Sequence, residues 1–308
     1  MNAAPDGHAS RRVLVTGGSG FIGRHVVAAL REHGHIVTVA DRVRFPDDLV
    51  HTVTGDLCRP DVRELAVTPQ TDAIVHLAAE TSVLRSIECP VLVQRTNVEM
   101  TVALLELARE RAVGSFVLAS TNAVVGPHEG TITEDLPLAP MTPYGATKAA
   151  AEMIMSGYSG AFGLRTPALR LTNVYGPGMT EKDSFIPRLL RAAAADQGVQ
   201  IYGTGRQQRD LVHVSDAAWA LARAVSCWPS GPVIIGSGRS HTVADLAQAA
   251  REATGRSIPA QHVAAKLGEM PAVIVDISRA RSRGYEPSVS LAQGILSAWA
   301  DFEPSLRS

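Results

Sequence analysis

Hydrophobic and polar positions alternate between two textures along the chain. Short runs that are apolar throughout and rich in β-branched residues occur at "RRVLVTG" (11–17), "HIVTVAD" (35–41), "HTVTGD" (51–56), "DAIVHLAA" (72–79) and "GSFVLAS" (114–120). Such runs predict buried strands. Between them, "FIGRHVVAALREHG" (21–34), "PVLVQRTNVEMTVALLELARERA" (90–112) and "TPYGATKAAAEMIMSGYS" (142–159) repeat their apolar residues at helical spacing. The first of these stops at Gly34, a helix-ending glycine. "LRTPALRLTNVYG" (164–176) leads into one more strand. Strands alternating with helices predict an α/β fold built on a doubly wound parallel sheet. After Pro177 the alternation breaks up into loops, short helices and a "YGTGRQQRD" turn, and "GPVIIGSG" (231–238) reads as a strand returning to the sheet. The predicted division is residues 11–172, with 213–236 returning to them, and a smaller C-terminal domain from 173–212 and 237–308.

Composition narrows the picture without changing it. With 308 residues, 45% of them hydrophobic, the chain can bury one large core or two smaller ones. A net charge of −1 gives no basis for a nucleic-acid or membrane-surface partner. Cys58, Cys89 and Cys227 show neither pairing nor metal-ligand spacing. They read as reduced thiols of a cytoplasmic protein, and no metal is expected. "MNAAPDGHAS" lacks the charged start and apolar run of a signal peptide, and no apolar stretch approaches membrane-spanning length.

Candidate chemistry begins with "TGGSGFIG". Gly17 permits a tight turn after the first strand, Gly20 lets backbone approach a pyrophosphate, and Gly23 lets the helix pack close to the sheet. The helix opening at Phe21 and Ile22 presents free N–H groups and its positive dipole end to the phosphates. Asp41, at the end of the second strand, suits both ribose hydroxyls of NAD and repels the 2′-phosphate of NADP, although Arg42 and Arg44 stand nearby. Asp56, with Leu57 beside it, is either a partner for the adenine amino group or an ordinary turn residue. In "HLAAETS", Leu77, Ala78 and Ala79 offer a small-residue floor for the cofactor.

Tyr144 and Lys148 in "YGATK" lie four apart and share a helix face. A free phenol ionises near pH 10, so acting as a base near neutrality requires about 4 kcal/mol. A nearby ammonium and the positive ring of an oxidised nicotinamide act in that direction. Thr121, at the end of "FVLAST", can hydrogen-bond the same substrate oxygen. Together the three residues can take a proton from a hydroxyl whose carbon is being oxidised.

"TGGSGFIG", "HLAA", "STNAVVG", "YGATK", "NVYGPG" and "RDLVHVSD" occur in the order found in the extended short-chain dehydrogenases/reductases. Over roughly residues 12–300 the chain resembles the NAD-dependent sugar-nucleotide epimerase/dehydratase family, close to the UDP-glucose/galactose 4-epimerases. The resemblance implies a Rossmann-type sheet, a substrate-binding C-terminal domain and a homodimer joined through helices around 91–111 and 144–159. It implies a nucleotide-sugar substrate, with Asn173 and Arg209 at the diphosphate. "KLGEMPAVIVDISRAR" resembles the segment that supplies a further phosphate-binding arginine. Lys266 stands there instead, which keeps the charge and loses the fork.

The resemblance also separates reactions. Every branch begins with oxidation at sugar C4. The 4,6-dehydratases usually carry Asp-Glu directly after the catalytic threonine, and the decarboxylases a Glu in the same stretch. Here Asn122 and Ala123 follow Thr121, and neither is an acid or base. An epimerase needs no further acid or base. "SVLRSIECP" resembles the epimerase branch, while Val125 replaces a usual tyrosine. Asn122 is open between hydrogen-bonding the sugar and capping the strand end. The expectation is an NAD-dependent 4-epimerase of a UDP-sugar. The alternatives are a dehydratase, decarboxylase or 4-ketoreductase of the same family and, in another class, a non-catalytic NAD-binding protein.

Overall fold

The computed structural model describes residues 9–264 and 272–303. It begins with β1 (Arg12–Thr16), α1 (Phe21–Glu32), β2 (Ile36–Asp41), β3 (His51–Thr54), α2 (Pro60–Ala66) and β4 (Ala73–His76). There follow α3 (Val83–Glu88), α4 (Pro90–Gln94), α5 (Met100–Glu110), β5 (Ser115–Thr121), α6 (Pro143–Phe162) and β6 (Pro167–Leu171). β7 (Asn173–Tyr175), α7 (Phe185–Ala194), β8 (Val199–Tyr202), β9 (Gln208–His213), α8 (Val214–Cys227) and β10 (Gly231–Ile235) come next. The last elements are β11 (Ser240–Thr242), α9 (Val243–Thr254), β12 (Ala260–Val263), α10 (Ser278–Arg281) and α11 (Leu291–Phe302).

Seven strands form one sheet in the order β10-β6-β5-β4-β1-β2-β3. β1 pairs in parallel with both β2 and β4, and β2–β3 and β4–β5 are parallel as well. The order reverses between β1 and β4, and the loops leaving these strands open on the switch point where such sheets bind ligands. β4 is at most 1% exposed from Ala73 to His76, as a parallel strand covered on both faces must be. α1 buries Gly23, Val26, Val27 and Leu30, a stripe at three- and four-residue spacing. One core cluster joins Leu14, Ile74, Leu104, Leu105, Phe116, Leu118 and Met155 from β1, β4, α5, β5 and α6. Each such side chain contributes roughly 1.5–3 kcal/mol by its burial.

The helix expected over 90–112 is interrupted. A π turn at Arg95–Glu99 separates α4 from α5. It turns Asn97 into the interior, where Oδ1 accepts from Glu80 N (2.8 Å) and Nδ2 donates to Glu80 O (2.9 Å) and Thr147 Oγ1 (3.0 Å). By contrast α6 starts and stops on sequence signals. Thr142 caps it by accepting from Gly145 N (3.1 Å), Pro143 occupies its first position, and Gly163 ends it at φ 69°.

The chain divides into two compact units. The first holds the chain up to Gly126, Glu134–Arg170 and Ala218–Val233; the second holds Pro127–Thr133, Leu171–Ala217 and the chain from Ile234 onward. Within the second unit β9 pairs in parallel with β7 and antiparallel with β11, and β8 pairs in parallel with β12. α9 packs against α7 and α11. Ile132 N donates to Ile274 O (2.7 Å) and Asp276 N to Ile132 O (2.9 Å), which ties 127–133 into this unit. Among the described residues no helix is long and apolar enough to cross a membrane, and no cluster of His, Cys, Asp or Glu is arranged to hold a metal.

Candidate active site

The loop after β1 is shaped by three glycines with different reasons to be glycine. Gly17 turns at φ 72°, and a Cβ there would lie 2.7 Å from Ala78 N. A Cβ on Gly23 would overlap Gly17 O. Gly20 is unlike them, because only Gly17 O, at 3.3 Å, lies near its Cβ direction. It is the N-cap of α1, supplies no side-chain cap, and is followed by a first turn without an acidic residue. The N–H groups at Phe21, Ile22 and Gly23 therefore face no anion from their own helix.

Around this helix start stand the other residues expected at a dinucleotide. Asp41 closes β2, with Oδ2 accepting from Ser19 N (3.0 Å) and Oδ1 from Val43 N (3.1 Å). The carboxylate is thereby pinned to the glycine loop. Arg42 and Arg44 are exposed, and Arg44 pairs with Asp48 at 2.9 Å. Asp56 is exposed beyond β3 and accepts from Cys58 N (2.9 Å), while Leu57 is buried. Leu77, Ala78 and Ala79 leave β4 half-buried, with Leu77 N donating to Thr16 O (3.1 Å). An uncapped helix start, an open approach at Gly20 and an anchored carboxylate fit the pyrophosphate and ribose of NAD.

Tyr144 and Lys148 sit on successive turns of α6 beside the end of β5. Lys148 is only 4% exposed, and its Nζ donates to Ala119 O at 2.9 Å. Burial pulls its ammonium down to about 8, while the Glu152 carboxylate pulls it back up. Burial pushes the Tyr144 phenol up to about 12, and the neighbouring Thr121 hydroxyl pulls the other way. Desolvation is the larger of the two effects on the phenol, and the Thr121 hydroxyl opposes it.

Beneath Lys148 runs a buried polar chain that spacing did not reveal. Thr101 Oγ1 donates to Asn97 O (2.6 Å), so it accepts from His76 Nε2 (3.0 Å). His76 Nδ1 then accepts from Thr16 Oγ1 (2.7 Å), whose oxygen takes Ala78 N (3.3 Å). Burial first, and the Lys148 charge second, hold His76 down to about 3, so it is a neutral imidazole. Thr147 Oγ1 donates to Tyr144 O (2.8 Å), which ties Asn97 to the turn that carries the phenol.

Asn122 follows Thr121 in a short 3-10 turn and is 6% exposed. Neither its amide nitrogen nor its oxygen has a hydrogen-bond partner among the described residues. A cap would have spent one of these atoms, so the side chain does not cap the strand. Val125 is buried in the same turn.

The second unit contains a cavity of about 190 Å³, lined by Asn173, Arg188, Gln200, Tyr202, Gln207 and Arg209 among others. Asn173 Nδ2 donates to Asp210 O (3.3 Å) and Arg209 Nη1 to Gln208 O (2.8 Å). The structure thus brings Asn173 and Arg209 to one cavity, while Lys266 lies outside the described residues. Sequence reasoning missed Arg188, half-buried on α7. Its only signal was a position one turn inside a helix whose first residues, Ser184 to Ile186, line the same cavity.

Residues 13–234 match the family described as the NAD dependent epimerase/dehydratase family. The UDP-glucose 4-epimerase of Corynebacterium glutamicum is 32% identical over 314 residues, covering 94% of this chain and 95% of its own length. A dTDP-glucose 4,6-dehydratase of Streptomyces niveus is 34% identical over 306 residues, covering 92% and 90%. The crystal structure of the Thermus thermophilus UDP-glucose 4-epimerase in complex with NAD superposes with a TM-score of 0.89 at 31% identity, covering 96% of this chain and 99% of that one. From the glycine loop to the tyrosine–lysine helix, and over most of its length, the chain belongs to the NAD-dependent epimerase/dehydratase family.

Proposed function

We propose that the chain is an NAD-dependent nucleotide-sugar 4-epimerase, an isomerase acting on a UDP-sugar through a transient 4-keto intermediate. The observation that carries this reading is the pair of positions after Thr121. Asn122 and Ala123 place no acid or base beside Thr121, Tyr144 and Lys148. The set can move a proton at the C4 oxygen, and these two positions supply nothing to move one at C5 or C6. The relatives of known name include both 4-epimerases and 4,6-dehydratases, and the missing acids favour the first.

In this reading Tyr144 takes the C4 hydroxyl proton and later returns it to the same oxygen. Thr121 hydrogen-bonds that oxygen, and Lys148 supplies charge near the phenol and holds the nicotinamide ribose. Bound NAD supplies reversible oxidation at C4 and a positive ring beside the phenol. Gly17, Gly20, Phe21, Ile22 and Gly23 would cradle its pyrophosphate, Asp41 its ribose, and Asp56 to Leu57 and Leu77 to Ala79 its adenine side and floor. Asn173 and Arg209, with Arg188, would hold the nucleoside diphosphate. The orphaned amide of Asn122 suits a sugar hydroxyl, to which it can both donate and accept.

Replacing Tyr144 by Phe is expected to leave folding and NAD retention intact and to lower kcat by about 10³-fold. Near-normal turnover in that variant would remove the tyrosine from the mechanism. Arg188→Ala and Arg209→Ala are expected to raise KM roughly 10–100-fold with little change in kcat, the effect of losing one charged hydrogen bond.

A homodimer is part of the same reading. Leu84, Ile87, Val91, Leu92, Met153 and Phe162 are exposed on α3, α4 and α6, an apolar surface that a second copy would cover. The three cysteines are free and exposed, which suits a reducing cytoplasm.

A further inference from the structure

Three consecutive residues of β5 serve three successive turns of α6. Ala119 O accepts Lys148 Nζ at 2.9 Å, Ser120 Oγ donates to Glu152 Oε1, and the Thr121 hydroxyl acts on the Tyr144 phenol. Tyr144, Lys148 and Glu152 are spaced four apart, so one stripe of the helix is matched residue by residue to the strand end. Glu152 is itself held from a third element. Arg170 on β6 binds it with Nε at 3.1 Å from both carboxylate oxygens and Nη2 at 2.7 Å from Oε2, and both side chains are buried. Arg170 Nη1 also reaches Glu134 O at 3.4 Å.

Lys148 has no carboxylate within ion-pairing distance among the described residues. A buried ammonium so placed depends on charge further off. We propose that Glu152 is a positioning residue of the reaction: clamped by Arg170 and Ser120, it fixes the register of α6 on β5 and stands as the fixed counter-charge of the Lys148 ammonium. The proposal rests on the reading of Tyr144 and Lys148 as the proton-transfer pair. His76 from β4, which feels the Lys148 charge, is neutral and adds none of its own, and β5 meets the ammonium with the uncharged Ala119 carbonyl. Arg170 is turned to the Glu152 carboxylate. Glu152 is the group that raises the Lys148 ammonium against its burial.

The chain has three lysines, Lys148, Lys182 and Lys266, so selectively labelled lysine side chains can be followed by NMR as pH is raised. Two variants are compared with the parent. Glu152→Gln removes the charge and keeps the shape. Glu152→Leu/Arg170→Met replaces the buried pair by apolar residues, an exchange that commonly preserves stability, and serves if the single variant leaves Arg170 uncompensated and unfolds. The expected result is a Lys148 midpoint at least one pH unit lower in the folded variant. The alkaline fall of kcat should move with it, by about tenfold in kcat above both midpoints, with KM unchanged. An unmoved Lys148 midpoint overturns the proposal, as does a moved midpoint with an unmoved alkaline fall. If the parent turned over no nucleotide sugar, the functional reading would fail while the NMR comparison still decided whether Glu152 governs Lys148.

Discussion

Gly20 and Gly23 look alike in the sequence and differ in what surrounds them. Alanine at Gly23 would drive a methyl into Gly17 O, and the expected loss is about 3 kcal/mol, read as a lower urea midpoint. Alanine at Gly20 meets little protein, at a φ of −75° that any residue adopts. It should leave the midpoint nearly unchanged and cut NAD retention, measured by releasing cofactor from the purified protein. Loss of stability without loss of NAD at Gly20 would assign it a packing role. Single residues were the most legible level of this chain. Glycine, aspartate and tyrosine–lysine spacings are local, and local geometry fixes what they can do. The direction in which Tyr144 shifts was not legible, because it depends on how much water the fold removes from the phenol. Nor was Arg188, because its neighbours come from segments far apart in the sequence.

At the scale of elements, the strands and the bounds of α6 follow from apolar runs, an N-cap threonine and a left-handed glycine. The π turn in the preceding helix does not. Apolar spacing carries on through it, and the turn goes with hydrogen bonds from Asn97 to Glu80 and Thr147, residues 17 and 50 positions away. Asn97→Leu is expected to leave the Glu80 main chain unpaired, to cost roughly 1–3 kcal/mol, and to lower kcat more than it raises KM. A variant with full activity and only reduced stability would show that the turn holds the helix and does not align Tyr144. The 122–126 turn is a smaller case of the same kind. Its sequence left Asn122 open between cap and ligand contact, and the unpaired amide is what decides against the cap.

At the scale of the molecule, the burial of neutral His76 makes stability depend on pH. Its folded value, about 3, lies below the ordinary value of 6.5. The unfolded chain therefore binds the proton first, so stability from this group is complete above about pH 6.5 and falls by about 1.4 kcal/mol per pH unit on the way down towards 3. Urea unfolding of the parent and of His76→Gln at pH 7 and pH 5 should show a smaller loss in the variant. Equal losses would contradict the assignment. The apolar surface of α3, α4 and α6 predicts a dimer, and Val91→Asp should raise the monomer fraction in sedimentation.

As a 4-epimerase, the chain would turn a sugar over at C4 and do nothing else to it. The most direct test incubates the purified chain, without added cofactor, with UDP-glucose, UDP-N-acetylglucosamine, UDP-glucuronate and UDP-xylose, and follows products by NMR and mass. The expected product is a new C4 isomer of unchanged mass from one or more of these, formed with no NAD supplied. Loss of water or carbon dioxide, or no conversion at all, would contradict it.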